Sequence, residues 1–122
     1  LGLKGKDMSA EQNAQIVQES IEAAVRQDWN RLRSLYAADA ILLGTPEPVR
    51  GNDAIVKLWQ GCHDEVPGIT CEIANIIAQG DMVAAEWRVG PEFQGAEVYI
   101  CRVQDGKIVS NRIYGFSGSW EN

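Results

Sequence analysis

The stretch Val98-Tyr99-Ile100-Cys101-Arg102-Val103-Gln104-Asp105-Gly106-Lys107-Ile108-Val109-Ser110-Asn111-Arg112-Ile113 decides how this chain folds. Side-chain character alternates with a period of two on both arms, and β-branched and aromatic residues dominate them, as in half-buried strands. Asp105-Gly106 between the arms tolerates the positive φ that both central residues of a type I′ turn require. The stretch is a two-residue β-hairpin. Carried outward, the alternation predicts strands over 93–104 and 107–116. Upstream it predicts two more, over 69–78 and 82–89. Gln79-Gly80-Asp81 and Gly90-Pro91-Glu92 supply the turns between them. Four consecutive hairpin-linked strands make an antiparallel meander.

Before residue 68 the period changes to 3.6. Ser9-Ala10-Glu11-Gln12 reads as a capping box, with Gln12 reaching back toward Ser9. Ala14, Val17, Ile21, Ala24 and Val25 then recur at three- and four-residue steps, which predicts an amphipathic helix to about Gln27. Asp28 can cap a second, short helix carrying Leu32, Leu35 and Tyr36, completing an αα-hairpin. A brief strand is expected over 40–43. Gly44-Thr45-Pro46-Glu47-Pro48 follows as an exposed, extended loop, because two prolines two apart forbid a helix. Asn52 or Asp53 caps a third helix with Ile55, Leu58, Trp59 and Cys62 on one face, and Pro67-Gly68 ends it. Helices first and strands after is the grammar of an α+β domain with its helices on one face of the sheet.

The chain has 122 residues, 45% of them apolar, which suits one domain with one core. Residues 1–8 read as a leader or tail and 9–122 as the domain. No run approaches the ~18 apolar residues of a membrane span, so no membrane partner is expected. Seventeen acidic residues against eleven basic ones give a formal charge of −6, with no basic cluster, and a nucleic-acid backbone would be repelled. Cys62, Cys71 and Cys101 form no CxxC pair, and the single histidine, His63, has no ligand spacing to them. No metal or cofactor is called for. Three unpaired thiols suit a reducing cytoplasm.

The order of elements resembles that of the nuclear-transport-factor-2-like superfamily, which includes SnoaL-like and ketosteroid-isomerase-like domains. The local wording is similar too, in Asp28-Trp29, Leu35-Tyr36-Ala37-Ala38-Asp39-Ala40, Val49-Arg50-Gly51, Ala54-Ile55, and Asp105-Gly106-Lys107-Ile108-Val109 with Arg112. The resemblance implies a cone: a strongly curved antiparallel sheet wrapped around three N-terminal helices, with a cavity lined by inward strand residues. It also implies a homodimer joined through the outer sheet face. It does not fix chemistry, because the superfamily spans isomerases, polyketide cyclases, dehydratases, epoxide hydrolases and binding modules.

Carried over position by position, the isomerase machinery is mostly missing. Gly44 stands where the resemblance places a carboxylate base. Ser20 stands at the helix-1 tyrosine donor, and Tyr99 at the protonated acid. A steroid isomerase of that design is therefore not expected. Alternation still predicts what faces the cavity. Val83, Ala85, Trp87 and Val89 form one inward set; Glu97, Tyr99, Cys101 and Val103 form another; and Val109, Asn111, Ile113 and Gly115 a third. Tyr99, Glu97 and His63 are the candidate acid–base residues, and Trp59, Trp87, Asn111 and Tyr36 the candidate ligand contacts. The plainer readings are that Tyr99 bonds a backbone carbonyl, Asn111 supports a sheet bend, Glu97 is solvated and His63 is a surface residue at a helix end. The expected function is binding of a small apolar or aromatic molecule, the alternative being an isomerase, cyclase or dehydratase acting on such a substrate.

Overall fold

The computed structural model describes residues 9–90 and 95–117. Phe93, Trp120 and the 1–8 leader fall outside them. Helix α1 (Ala10–Val25) opens on the expected capping box. Ser9 Oγ accepts from the Gln12 amide at 3.0 Å, and Gln12 Oε1 accepts from the Ser9 amide at 2.9 Å. The helix ends at Val25 with Arg26 as its C-cap, close to the expected end at about Gln27. Asp28 caps α2 (Trp29–Leu35) by accepting from the Arg31 amide at 3.2 Å.

Tyr36 is not helical as expected. It opens strand β1 (Tyr36–Leu43), four residues earlier than the expected strand. The reason is pairing, since Tyr36 lies opposite Ile108 and is almost completely buried there. A tertiary strand pairing overrides the helical pattern of Leu32-Leu35-Tyr36. A two-residue strand, β2 (Val49–Arg50), follows the proline loop and pairs antiparallel with β1, which the sequence pattern did not show. Helix α3 (Asn52–Glu65) is capped at Gly51, with φ +91°, rather than by Asn52 or Asp53. No side chain caps it.

The four long strands fall close to expectation: β3 (Thr70–Gln79), β4 (Met82–Gly90), β5 (Gly95–Gln104) and β6 (Lys107–Ser117). Asp105 and Gly106 both hold positive φ, at 52° and 77°, as the type I′ reading requires. The sheet runs β2-β1-β6-β5-β4-β3, antiparallel except where β1 lies parallel to β6. It curls around the helices without closing, the α+β cone the sequence implies. Its concave face and the helices share one core that includes Val17, Ile21, Leu32, Leu42, Ile55, Trp87 and Tyr99.

Besides a register shift between Tyr36 and Ile41 where β1 meets β6, two shifts among the described residues set the side-chain register of the long strands. One falls between the pairs Ile73–Trp87 and Asn75–Glu86, which keeps Ile73 and Ile76 inward and turns Ile77 outward, 70% exposed. The other falls between Arg102–Ser110 and Val103–Ile108. It makes Ile108, fully buried, the core residue at the base of β6, and Val109 is the extra residue of the bulge. Strict alternation had placed Val109 inward.

Candidate functional site

Three rows of inward side chains cross the sheet at right angles to the strands. Trp87, Glu97 and Gly115 make one row, Ala85, Tyr99 and Ile113 the next, and Val83, Cys101 and Asn111 the third, extended by Leu42 of β1. Helix α3 lays Trp59 over the first row. The Trp59 and Trp87 rings lie 5.8 Å apart and are tilted by 34°. Trp87 meets Tyr99 edge to face, 5.4 Å between centroids. These are the separations at which aromatic rings attract.

Within this aromatic wall, three polar atoms are buried with no hydrogen-bond partner among the described residues: Trp87 Nε1, Tyr99 Oη and Asn111 Oδ1. Tyr99 therefore does not bond a backbone carbonyl, the plainer expectation for it. Asn111 is not a support for a bend either. Its Nδ2 donates to Tyr36 Oη at 2.9 Å, and both residues are buried. Burial pushes the Tyr36 hydroxyl well above the usual tyrosine range, with the Asn111 bond opposing that only in part. Tyr99 is likewise raised by burial, and the nearby Tyr36, Glu97, Cys101 and Cys71 add to the effect. Both phenols are thus neutral donors at physiological pH.

Glu97 lies half-buried next to this group. Burial raises its carboxyl above the usual carboxylate range, and none of the described residues hydrogen-bonds it or pairs with it. Its path depends on Gly115, directly opposite on β6. A Cβ at that position would stand 3.2 Å from Glu97 Cγ and 3.6 Å from Oε2. The glycine face gives the Glu97 side chain room. Cys62 from α3 and Cys71 from β3 are both close enough for the Glu97 charge to raise their thiols. Burial is the larger cause for each, and it takes Cys71 up to about 12. These thiols are lining, not nucleophiles.

His63 sits elsewhere. Its Nε2 lies 2.7 Å from the Ala24 carbonyl oxygen and its ring meets Trp29 edge to face at 5.5 Å. It is 8% exposed, so the expected surface position is corrected: the ring ties the end of α3 to the end of α1. The structure brings Tyr99, Glu97, Trp59, Trp87, Asn111 and Tyr36 together and packs His63 between helices.

The positions expected to lack isomerase groups are structurally committed. Ser20 Oγ donates to the Val17 carbonyl of its own helix at 2.6 Å. Gly44 holds φ +100°, and a Cβ there would fall 2.1 Å from the Ile113 carbonyl oxygen. No side chain fits at Gly44 without moving the backbone. Sequence reasoning missed Trp87 Nε1 as a donor, and Gly115, Cys62 and Cys71 as neighbours of Glu97. Alternation placed Gly115 on the right face, but a glycine gave no sign of what crosses it. Among the described residues no cluster of His, Cys, Asp or Glu is arranged to hold a metal ion.

The site is thus an aromatic concave face that holds buried polar atoms without partners among the described residues. The chain belongs to the SnoaL-like domain family, whose model matches residues 17–111. Among solved structures it is similar to a candidate ketosteroid isomerase from Kribbella flavida, with TM-score 0.78 and 18% identity over 93% of this chain and 83% of that one. It is also similar to IdmH, a candidate polyketide cyclase from Streptomyces antibioticus, with TM-score 0.75 and 24% identity over 84% and 91%. An NTF2-like protein of unknown function from Mesorhizobium loti matches with TM-score 0.74 and 25% identity over 93% and 96%. No curated protein matches. None of the described helices is long and apolar enough to cross a membrane.

Proposed function

We propose that the concave face binds a small, largely apolar ring molecule against Trp59 and Trp87, with a hydroxyl that accepts from Tyr99 Oη and Trp87 Nε1 and donates to Asn111 Oδ1. One observation carries this reading: three fully buried polar atoms stand unpartnered beside an aromatic stack. A buried donor without a partner costs about 1–3 kcal/mol, a cost a ligand oxygen would remove. Titration with 2-naphthol, followed by tryptophan fluorescence, tests it. Saturable quenching is expected, with about tenfold weaker binding by Tyr99→Phe, since one such hydrogen bond is worth roughly 1–1.5 kcal/mol. Equal affinity for wild type and Tyr99→Phe would remove the proposed contact.

The second reading is an enzyme of the isomerase, cyclase or dehydratase kind. Glu97 favours it, as a desolvated carboxyl without a partner among the described residues, close to the two donors. A carboxyl that burial raises above its usual range holds its proton more tightly, and so is better able to give one as well as take one. On this reading Tyr99 and Trp87 Nε1 stabilise charge developing on a ligand oxygen and Glu97 moves the proton. Hydrogen–deuterium exchange of an enolisable ketone such as 2-tetralone, lost in Glu97→Gln, is its test; exchange unchanged in that variant refutes it.

The same proposal extends to assembly and location. The protein acts in a reducing cytoplasm as a homodimer. Its three free cysteines support the location. Ile77 and Tyr114, 70% and 54% exposed on the convex face, support the assembly, with half-buried Val98 and Ile100 between them. Sedimentation of Tyr114→Glu should then show monomers where wild type shows dimers.

A further inference from the structure

Another cavity lies at the opposite end of β6 from Gly115. It has a volume of about 490 Å³, and its walls are Arg33 and Ser34 at the end of α2, Asn52 at the start of α3, Lys107 at the start of β6, and Ala37 and Ala38 of β1. Sites for small molecules commonly measure about 300–1,000 Å³. In a chain with a formal charge of −6, no acidic residue is among those lining this cavity, whereas two cations are.

The cations are held in place and only partly used. Lys107 Nζ donates to the Ser34 carbonyl at 2.6 Å, which fixes an exposed lysine against the end of α2. An ammonium carries more than one donor, so further N–H groups of Lys107 remain. Arg33 Nε donates to Asp53 at 2.6 Å and Nη1 to Asn30 Oδ1 at 3.3 Å, while Nη2 has no partner among the described residues. Asn52 Nδ2 donates to the Arg33 carbonyl at 3.5 Å. The carbonyls of Arg33 and Ser34, which would repel an anion at this helix end, are thereby covered.

We infer that this cavity binds a phosphate monoester, with its oxygens on Lys107 Nζ and Arg33 Nη2 and its organic part against Ala37 and Ala38. A phosphate carries enough charge and acceptor oxygens to meet two separate cationic groups at once, where a single carboxylate would satisfy them less well. Bare orthophosphate would leave most of the volume unfilled. The site is separate from the proposed ring site: Tyr36 also lines it, but Trp59, Trp87, Tyr99 and Asn111 do not.

The test titrates the whole chain with isobutyl phosphate, with isobutanol and inorganic phosphate as controls, at about pH 8, where the monoester is a dianion. Backbone amide shifts in two-dimensional NMR show where each binds. Isobutyl phosphate should shift the Arg33, Ala37, Ala38 and Lys107 amides saturably, and isobutanol should not. Inorganic phosphate should bind at the same amides about fivefold more weakly, for want of an apolar part. Lys107→Gln and Arg33→Gln should each weaken isobutyl phosphate about fivefold. Asp53→Asn removes the carboxylate that Arg33 now pairs with, and should tighten binding about twofold. Lys57→Gln, an exposed lysine on α3 outside the cavity, should change nothing. Arg33, Asp53 and Lys107 are all at least partly exposed, so these variants keep the fold. Shifts that persist unchanged in both Lys107→Gln and Arg33→Gln, or that weaken equally in Lys57→Gln, would mean an adventitious ion only and overturn the site. Inorganic phosphate binding as tightly as the ester would overturn the ligand class. Neither result depends on the 2-naphthol titration, so failure here and failure of the ring site are distinct.

Discussion

Replacing Tyr99 by phenylalanine should make the protein more stable and less able to bind. The Tyr99 side chain is 1% exposed, and its hydroxyl has no partner among the described residues. Removing a buried, unpaired hydroxyl removes its desolvation cost, about 1–3 kcal/mol, and phenylalanine keeps the ring that meets Trp87 at 5.4 Å. The loss of one oxygen leaves a void too small for a large cavity cost. A net gain near 1 kcal/mol is therefore expected. For a domain of this length that corresponds to a rise in Tm of about 3–5 °C. Chemical denaturation of the ligand-free protein checks it, with an unchanged m-value showing that the same surface is exposed. The variant should at the same time lose most of the thermal shift that 2-naphthol gives the wild type. A fall in ligand-free stability would refute the reasoning, because it would mean the hydroxyl is already satisfied in the folded protein and has nothing to offer a ligand.

Gly44→Ala should destabilise by about 2–4 kcal/mol, from the left-handed backbone at φ +100° and the Cβ that would meet Ile113; urea melts measure it, and a cost below 0.5 kcal/mol would contradict the geometry. Asn111→Leu strands the Tyr36 hydroxyl in the core and should cost about 1–3 kcal/mol, most of it recovered in the double variant Asn111→Leu/Tyr36→Phe, a coupling that a double-mutant cycle reads directly. The raised Glu97 pKa gives a sign as well. The folded state holds this proton more tightly than the unfolded one, so its contribution is full below the ordinary value of 4.5 and is lost as pH rises through the raised one. Glu97→Gln should flatten that part of the stability–pH curve, leaving the variant relatively more stable at neutral pH. A variant curve parallel to wild type across that window would show that Glu97 is well solvated.

The hairpin signal at Asp105-Gly106 and the long alternating runs on either side of it were legible because backbone and burial demand the same residues there. So were the caps at Ser9 and Asp28, where a side chain does the capping. Gly51 was not, since its cap depends on a positive φ and not on a side chain. Tyr36 was misread as helical because only β6, some seventy residues later, makes it a strand residue. In the site, alternation found Glu97, Tyr99, Trp87 and Asn111. It could not show which of their polar atoms lack partners, a property of the whole neighbourhood. His63 was misplaced for a related reason: its burial comes from Trp29 and Ala24 on other helices, and a local pattern at the end of α3 carries no trace of them.

The parallel pairing of β1 with β6 has a kinetic consequence. β1 belongs to the first third of the chain, yet its long-range partner is the last strand, and Leu42 faces Asn111 across that seam. Closing a loop of that length must precede the reward of pairing, which slows folding and leaves the N-terminal helices with an uncovered apolar face until late. A ribosome releasing this chain would expose α1, α2 and β1 well before β6 arrives. The Tyr36–Asn111 bond spans the same seam, so this buried polar pair forms only when the last strand docks. A nascent or truncated chain ending before Asn111 would carry most of its helices and hairpins and still lack the partner that Tyr36 meets across the seam.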